Sequence, residues 1–372
     1  MKIPALVLID PEFWRARRVL VTGHTGFKGA WLSLWLQSLG AHVVGLAPGA
    51  PTRPSLFALA RVGEHMTQHD ADVRDAQAVL EAVRDARPEV VFHMAAQPMV
   101  RRSLREPALT YEVNVMGTVN VLEALRALDG AVRAILVVTS DKCYENDGTP
   151  RAGFREGEPL GGGDPYSSSK ACAELVAAAY RRSFFEGDGQ PGLATARAGN
   201  VIGGGDWGQD RLLADAARAV ETDTPLRLRD PTAVRPWQHV LNALSGYLLL
   251  AQSLGERPDL ARAWNFGPPA GEAGTVAWVV ERLAALWEGA LRVESEQLGA
   301  PAEAAYLALD SSAAERELGW RAPWDLARSL ELLVAWHRDH MAGEDMRRVS
   351  LAQLDAFAGA VGNRAGSPTT DA

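Results

Sequence analysis

The 372-residue sequence predicts an α/β fold, a doubly wound parallel sheet with a smaller mixed lobe toward the C-terminus. Three observations predict it. Runs of β-branched residues alternate with helical patterns through the first half. A glycine-rich turn sits between the first such run and the first helical pattern. After about Gly199 the rhythm loosens, and glycines and prolines punctuate shorter elements.

Four runs read as buried strands: Arg18–Thr22, His42–Leu46, Glu89–His93 and Ala134–Thr139. Their continuous rather than alternating hydrophobicity fits strands covered on both faces. Helical stretches are expected to begin near Phe27, Asp75 and Pro107, the first of them amphipathic, and another to run from Tyr166 to Arg182. Later helical patterns start at Trp237, Thr275 and Asp325. The division that follows is an N-terminal extension over 1–17, a dinucleotide-binding domain over 18–199, and a substrate lobe over 200–342 interleaved with late strands of the main sheet. A C-terminal helix and a disordered tail occupy 343–372, the tail being rich in Gly, Ser, Thr and Pro from Gly362.

A net charge of −8 argues against a dedicated nucleic-acid binder. No apolar run approaches the roughly 18 residues that cross a bilayer, so no membrane partner is expected. Cys143 and Cys172 offer neither a disulfide framework nor zinc spacing, which suits a reducing cytoplasm. His65 and His69, read as lying in a strand beside Asp70 and Asp72, lack a third converging ligand, and no metal site is expected.

Gly23-His24-Thr25-Gly26-Phe27-Lys28-Gly29 follows a strand and opens a helix, so its amides and the positive helix end can face a pyrophosphate. Gly23, Thr25, Gly26, Phe27, Lys28 and Gly29 are therefore cofactor-binding candidates. Asp72 and Val73 follow a third strand, where a carboxylate can accept from an adenine amino group; the competing reading of Asp72 is a helix N-cap, for which Asp75 is better placed. Ala95 and Ala96 end the fourth strand with side chains small enough for a cofactor to lie against the backbone. A nicotinamide dinucleotide is the expected cofactor. No Asp or Glu follows the second strand to take ribose hydroxyls, and Arg53 suits a 2′-phosphate, so the choice between NAD and NADP stays open here.

Tyr166 and Lys170 stand one helical turn apart and so share a face. A phenol is a poor base near neutrality, and an adjacent ammonium favours phenolate, so the pair can take a hydroxyl proton as hydride leaves. Ser140, at the end of a strand, is the third member and is expected to hydrogen-bond the same hydroxyl. Asp141 and Lys142 add an acid and a possible base, which simple oxidation would not need.

These residues carry a resemblance to the extended short-chain dehydrogenase/reductase superfamily, and within it to the nucleotide-sugar 4,6-dehydratases. The glycine turn, Thr-Ser-Asp-Lys-Cys-Tyr at 139–144, Gly-Asn-Val-Ile-Gly-Gly-Gly-Asp-Trp at 199–207 and Arg-Pro-Trp-Gln-His-Val at 235–240 bear it, from about Phe13 to the region of Trp336. The last two motifs, with Asp141-Lys142, point to the CDP-sugar branch. The resemblance implies a Rossmann-type cofactor domain, CDP-glucose as substrate and a dehydration. Tyr166, with Ser140 and Lys170, would take the C4 hydroxyl proton while hydride goes to NAD; Asp141 would protonate the departing C6 hydroxyl, a base would take the C5 proton, and hydride would return to C6. Relatives acting on dTDP-glucose carry glutamate where this chain has Lys142, which leaves two roles for the lysine, base or cation stabilising the enolate. Asn200, Arg211, Arg235, Trp237 and His239 are the substrate-binding candidates, Trp207 or Trp237 as a surface for cytosine. A homodimer or homotetramer is implied, paired through Pro107–Leu128 and Asp164–Phe185. A 4-epimerase would share the glycine turn and the Tyr166/Lys170 pair, but has no use for an acid and base aimed at C6 and C5.

Overall fold

The computed structural model describes residues 9–365, apart from 129, 131, 188, 229, 270 and 296–303. Strands β1 (Arg18–Thr22), β2 (His42–Leu46), β3 (Thr67–His69), β4 (Val90–His93), β5 (Ala134–Val138) and β6 (Gly192–Ala198) join the strand Ala263–Phe266 in one seven-stranded sheet. Every pairing is parallel, and from one edge the order is β3, β2, β1, β4, β5, β6 and then Ala263–Phe266. The chain changes direction across the sheet between β1 and β4, and there the glycine turn leaves β1, at the switch point where such sheets bind ligands. All five β5 residues are buried, as helices on both faces require.

The C-terminal half is a lobe built on this sheet rather than beside it. Its strand Ala263–Phe266 is the sheet's last, and its helix Val240–Leu254 packs on β5 and β6. The expected helix starts hold at Thr275 and Asp325, whose side chains accept from the amides of Trp278 (3.2 Å) and Arg328 (2.7 Å). The pattern read from Trp237 becomes helical only at Val240, with His239 as N-cap.

Several expectations are corrected. From residue 9 onward the N-terminus is part of the fold: Asp10 caps the short helix Pro11–Trp14, and the Trp14 indole is fully buried, 6.1 Å from the ring of Phe92. The segment before it lies outside the described residues. The helix Phe27–Ser38 is not amphipathic, since Gly29 through Leu36 are all buried. The C-terminal helix Met346–Ala365 covers its outer side, with the fully buried Phe357 ring 5.4 Å from Trp35 and 4.8 Å from Trp324. Burying a phenylalanine is worth about 1.5–3 kcal/mol, which favours the docked position of this helix. It continues through Ala365, so the tail expected from Gly362 starts no earlier than 366, outside the described residues. His65 lies in a 3-10 turn, Val62–His65, not in a strand, and His69 Nε2 is 3.2 Å from Asp85.

The stretch from Pro107 is helical to Arg126 but carries a π-turn at Glu112–Met116. That turn presents buried Asn114, whose Oδ1 accepts from the Gln97 amide (2.8 Å) and whose Nδ2 donates to Ser169 Oγ (2.8 Å). An extra residue in a helical turn often serves a site, and here it braces the helix that carries Tyr166 and Lys170.

Candidate active site

The glycine turn begins at Gly23, in the left-handed region at φ 73°, where a β-carbon would lie 2.8 Å from the backbone of Ala95. A β-carbon on Gly29 would lie 2.1 Å from the Gly23 carbonyl oxygen. The turn therefore packs as glycine alone allows, and presses β1 against the end of β4. Thr22 Oγ1 accepts from the Met94 and Ala95 amides at 3.1 Å each, which fixes Ala95 and Ala96 beside the turn. Thr25 Oγ1 donates to the Pro48 carbonyl (3.1 Å), so its hydroxyl closes the turn. Small residues, a tight turn and a helix N-terminus make a cradle that fits a dinucleotide pyrophosphate.

Asp75, as expected, caps the helix Ala76–Ala86, accepting from Gln77 and Ala78 at 3.1 Å each. Asp72 instead receives Arg74, through its backbone amide and its guanidinium at 2.9 Å each, and that hydrogen bond holds its carboxyl below the ordinary range. Val73 is buried against Gly117, where a β-carbon would lie 2.7 Å from Val73 Cγ2.

The helix Pro165–Phe184 begins with Asp164 as N-cap, accepting from the Ser167 amide at 3.0 Å and from its hydroxyl at 2.6 Å. This cap aims the first turn at the end of β5. Tyr166 and Lys170 are both buried there. Lys170 Nζ donates to the Val138 carbonyl at 3.2 Å, and burial lowers the ammonium to about 8. Burial pushes the Tyr166 phenol up to about 12, with a hydrogen bond to Ser140 and the charge of Arg211 acting the other way.

Ser140 starts the 3-10 turn Asp141–Cys143, and its Oγ lies 3.0 Å from Asp141 Oδ1. The other carboxylate oxygen of Asp141 is buried without a hydrogen-bond partner among the described residues. Burial raises this carboxyl to about 6, against the pull of Lys142, Ser140, Arg235 and Lys28. A group that holds its proton close to neutrality suits an acid. Lys142 is half-buried, its amide donating to Ser140 Oγ at 3.2 Å.

Sequence reasoning placed Lys28 with the cofactor, but its side chain points to the reacting end. Its ammonium lies 5.9 Å from the Tyr247 ring centre, and burial, Lys170 and Arg211 lower it to about 7 while Asp141 acts upward. Tyr247 was not singled out by the sequence; its buried hydroxyl has no hydrogen-bond partner among the described residues.

Of the substrate candidates, Arg211 and Arg235 border this cluster. Arg211 is paired with Asp206 at 2.8 Å, and Arg235 donates to the carbonyls of Val234 (2.9 Å) and Ala305 (3.3 Å). Asn200 follows β6, its carbonyl accepting from the Gln238 amide at 3.0 Å. Burial does not fit the bracketing role expected of Trp237 and His239. The Trp237 indole donates to the Gly274 carbonyl (3.2 Å), and His239 lies edge-on to Trp324 at 4.8 Å, its Nδ1 capping Leu241. Trp207, likewise buried, packs on Trp336 at 5.7 Å, so it offers cytosine no open face. Residues missed by sequence reasoning include Asn114, Glu174 and Arg197, all acting through distant partners.

The parallel sheet, its glycine turn and the Ser140, Tyr166 and Lys170 cluster define a nucleotide-sugar-modifying enzyme of the extended short-chain dehydrogenase/reductase type. The chain belongs to the family described as GDP-mannose 4,6 dehydratase, whose model matches residues 20–332. It is 47% identical over 355 residues to the CDP-glucose 4,6-dehydratase of Salmonella typhimurium, covering 94% of this chain and 98% of that protein. Among solved structures it resembles the UDP-glucose 4-epimerase of Thermus thermophilus in complex with NAD, at 27% identity and TM-score 0.73, over 86% of this chain and 99% of that one. The dTDP-glucose 4,6-dehydratase of Bacillus anthracis, also in complex with NAD, shares the fold at 21% identity and TM-score 0.72, covering 89% of this chain and all (100%) of that one.

Proposed function

We propose that this protein is an NAD-dependent hydro-lyase that converts CDP-glucose to CDP-4-dehydro-6-deoxyglucose and water. The observation that carries the reading is the near-full-length 47% identity to a CDP-glucose 4,6-dehydratase, in a chain that sets a buried Asp141 beside Ser140 and Tyr166. NAD, when bound, accepts a hydride from C4 of the sugar and returns one to C6. Gly23, Gly26, Phe27, Gly29, Ala95 and Ala96 would hold it, with Asp72 and Val73 near the adenine end.

Tyr166 takes the C4 hydroxyl proton, with Ser140 orienting that hydroxyl and the Lys170 ammonium stabilising the phenolate. The resulting ketone makes the neighbouring C5 proton acidic. Lys142 takes that proton, and Asp141 gives its own to the C6 hydroxyl, which leaves as water. Arg211, Arg235 and Asn200 bind the diphosphate and sugar, guanidinium forks matching phosphate geometry. Trp237 and His239 support this region from within the core. The protein acts in the cytoplasm as a homodimer or homotetramer, supplying deoxysugar for surface polysaccharide.

Incubation with a panel of NDP-glucoses tests this reading. The expected result is loss of one water from CDP-glucose, a product absorbing in alkali and no net NADH. An isobaric product would instead identify a 4-epimerase, and Tyr166→Phe with full activity would remove the mechanism.

A further inference from the structure

The segment carrying Ser140, Asp141 and Lys142 is fastened at both ends to one buried carboxylate. Glu174 lies one turn beyond Lys170 on the helix Pro165–Phe184 and is 3% exposed. Its Oε1 accepts from the hydroxyl of Thr139, which enters the segment. Its Oε2 accepts from Thr195 Oγ1 (2.7 Å) and Arg197 (2.8 Å), both on β6. Arg197 in turn donates to the hydroxyl of Tyr144, which leaves the segment, at 2.8 Å, and to the Glu156 carbonyl at 3.0 Å. Tyr144 is locked further by Asn265 Oδ1 (2.8 Å) and by stacking on Phe154 with ring centres 4.8 Å apart.

We propose that Glu174, acting through Arg197, is a positioning residue for the reaction: it holds Thr139–Tyr144 in register with Tyr166 and sets a carboxyl group one helical turn from Lys170. This rests on the oxidation by Tyr166 and Lys170 proposed above. A buried ion pair is weak evidence for stability, because apolar residues of the same size often do as well. What apolar residues could not supply is the connection found here, from one carboxylate to both ends of a six-residue catalytic segment and, on its own helix, to the lysine one turn back.

The charges around Lys170 support the second half of the proposal. Burial lowers this lysine, and Glu174 and Cys143 act upward. The Cys143 thiol is itself pushed well up by burial, and so is neutral near pH 7. From β4, His93 is lowered to about 3 by burial and by Lys170, and is neutral too. From the helix Phe27–Ser38, Lys28 adds a like charge. From the 3-10 turn, Asp141 is half-protonated near 6. Glu174, paired with Arg197 at 2.8 Å, thus stands one turn from Lys170 and favours its charged form while the phenol ionises.

The test compares Glu174→Gln, Glu174→Asp and Tyr144→Phe in the NAD-loaded enzyme, following kcat and KM for CDP-glucose against pH. The amide removes the charge; with its oxygen toward Thr195 and Arg197, its NH2 can donate to the Thr139 hydroxyl. Glu174→Gln is expected to lower kcat about tenfold or more, with KM little changed, and to move the alkaline limb of kcat down by about half a pH unit or more. Glu174→Asp is expected to return the limb toward wild type. A Glu174→Gln enzyme with unchanged kcat, or with reduced kcat and an unmoved limb, overturns the proposal. Should Glu174→Gln not fold, Tyr144→Phe takes its place, deleting the hydroxyl through which both Arg197 and Asn265 hold the end of the segment: lower kcat at constant KM supports the proposal, and wild-type kcat overturns it. Tyr166→Phe is run alongside. If it is active the underlying reaction is misread; if it is dead while Glu174→Gln behaves as wild type, only the positioning role fails.

Discussion

Oδ2 of Asp141 lies 2.9 Å from the point where a β-carbon on Gly199 would stand, and Pro236 approaches the same point at 2.4 Å. Gly199 directly follows β6, and its value is space rather than backbone freedom. Gly199→Ala must therefore push Asp141 or Pro236 aside, and Asp141, whose side-chain hydrogen bond among the described residues is to Ser140, is the easier to displace. The expected outcome is a fall in kcat of about tenfold or more, since misplacing a proton donor forfeits much of its effect. Thermal unfolding should shift by only a few degrees. Steady-state kinetics beside a melting curve check both, and wild-type kcat would show that the carboxylate does not need this gap.

Asp141 also links function to stability. Its carboxyl is raised by burial from 3.8 to about 6 in the folded chain, so the fold binds this proton more tightly than the unfolded chain does. The stability it contributes is fully present below about 3.8 and is lost as pH rises through about 6. At pH 7.5 the ionised side chain is a burden that Asp141→Asn removes. The variant is expected to melt a few degrees higher than wild type at pH 7.5, with no such gain at pH 4, while kcat falls about 10²-fold or more. A lower melting temperature at pH 7.5 would mean the carboxylate is stabilised in place.

Local signals were readable in the sequence. The run Ala134–Val138 is a buried strand because its residues are apolar on both faces, and Asp75, Thr275 and Asp325 cap helices because their side chains reach amides two or three residues on. The Tyr166/Lys170 spacing places both on one side of a helix without tertiary information. Other features depended on distant partners. Lys28 looked like a cofactor ligand because its position in the glycine turn says nothing of Tyr247, which comes from a helix more than 200 residues later. His239 sits in a substrate motif, yet its ring caps the helix Val240–Leu254 inside the core. The Phe27–Ser38 helix looked amphipathic because nothing nearby announces that Met346–Ala365 covers its outer side.

The position of Lys28 makes a kinetic prediction. A lysine that gripped the pyrophosphate or ribose would, when lost, chiefly weaken NAD binding. Here the ammonium lies among Asp141, Lys170 and Arg211, where its charge pulls the Asp141 carboxyl downward. Lys28→Met is expected to reduce kcat several-fold with a smaller change in the dissociation constant for NAD. It should also move the pH at which activity falls with Asp141 ionisation upward from about 6, because the cation opposing protonation is gone. NAD titration by fluorescence and kcat between pH 5 and 8 separate the two readings; a large loss of NAD affinity with an unmoved profile favours the cofactor role.

The helix Pro165–Phe184 leaves Leu175 60% and Phe184 46% exposed, and the neighbouring elements add Leu104 at 52% and Met116 at 50%. Single exposed apolar residues are ordinary on a protein surface, but these four belong to elements packed against one another, since Val100–Arg105, Pro107–Tyr111 and the π-turn all contact this helix. A second copy offering the same face would bury them by an isologous four-helix contact. Leu175→Arg places a charge where two such helices would meet, and burying it unpaired costs more than the contact returns. The expected outcome is a dimer or larger assembly for wild type and a monomer for the variant in sedimentation velocity. The face also borders the site: Tyr111 Oη donates to Ser168 Oγ at 3.2 Å, two residues from both Tyr166 and Lys170. Dissociation should therefore loosen this turn and lower kcat, whereas a monomer with full activity would show that each chain holds its catalytic helix without help.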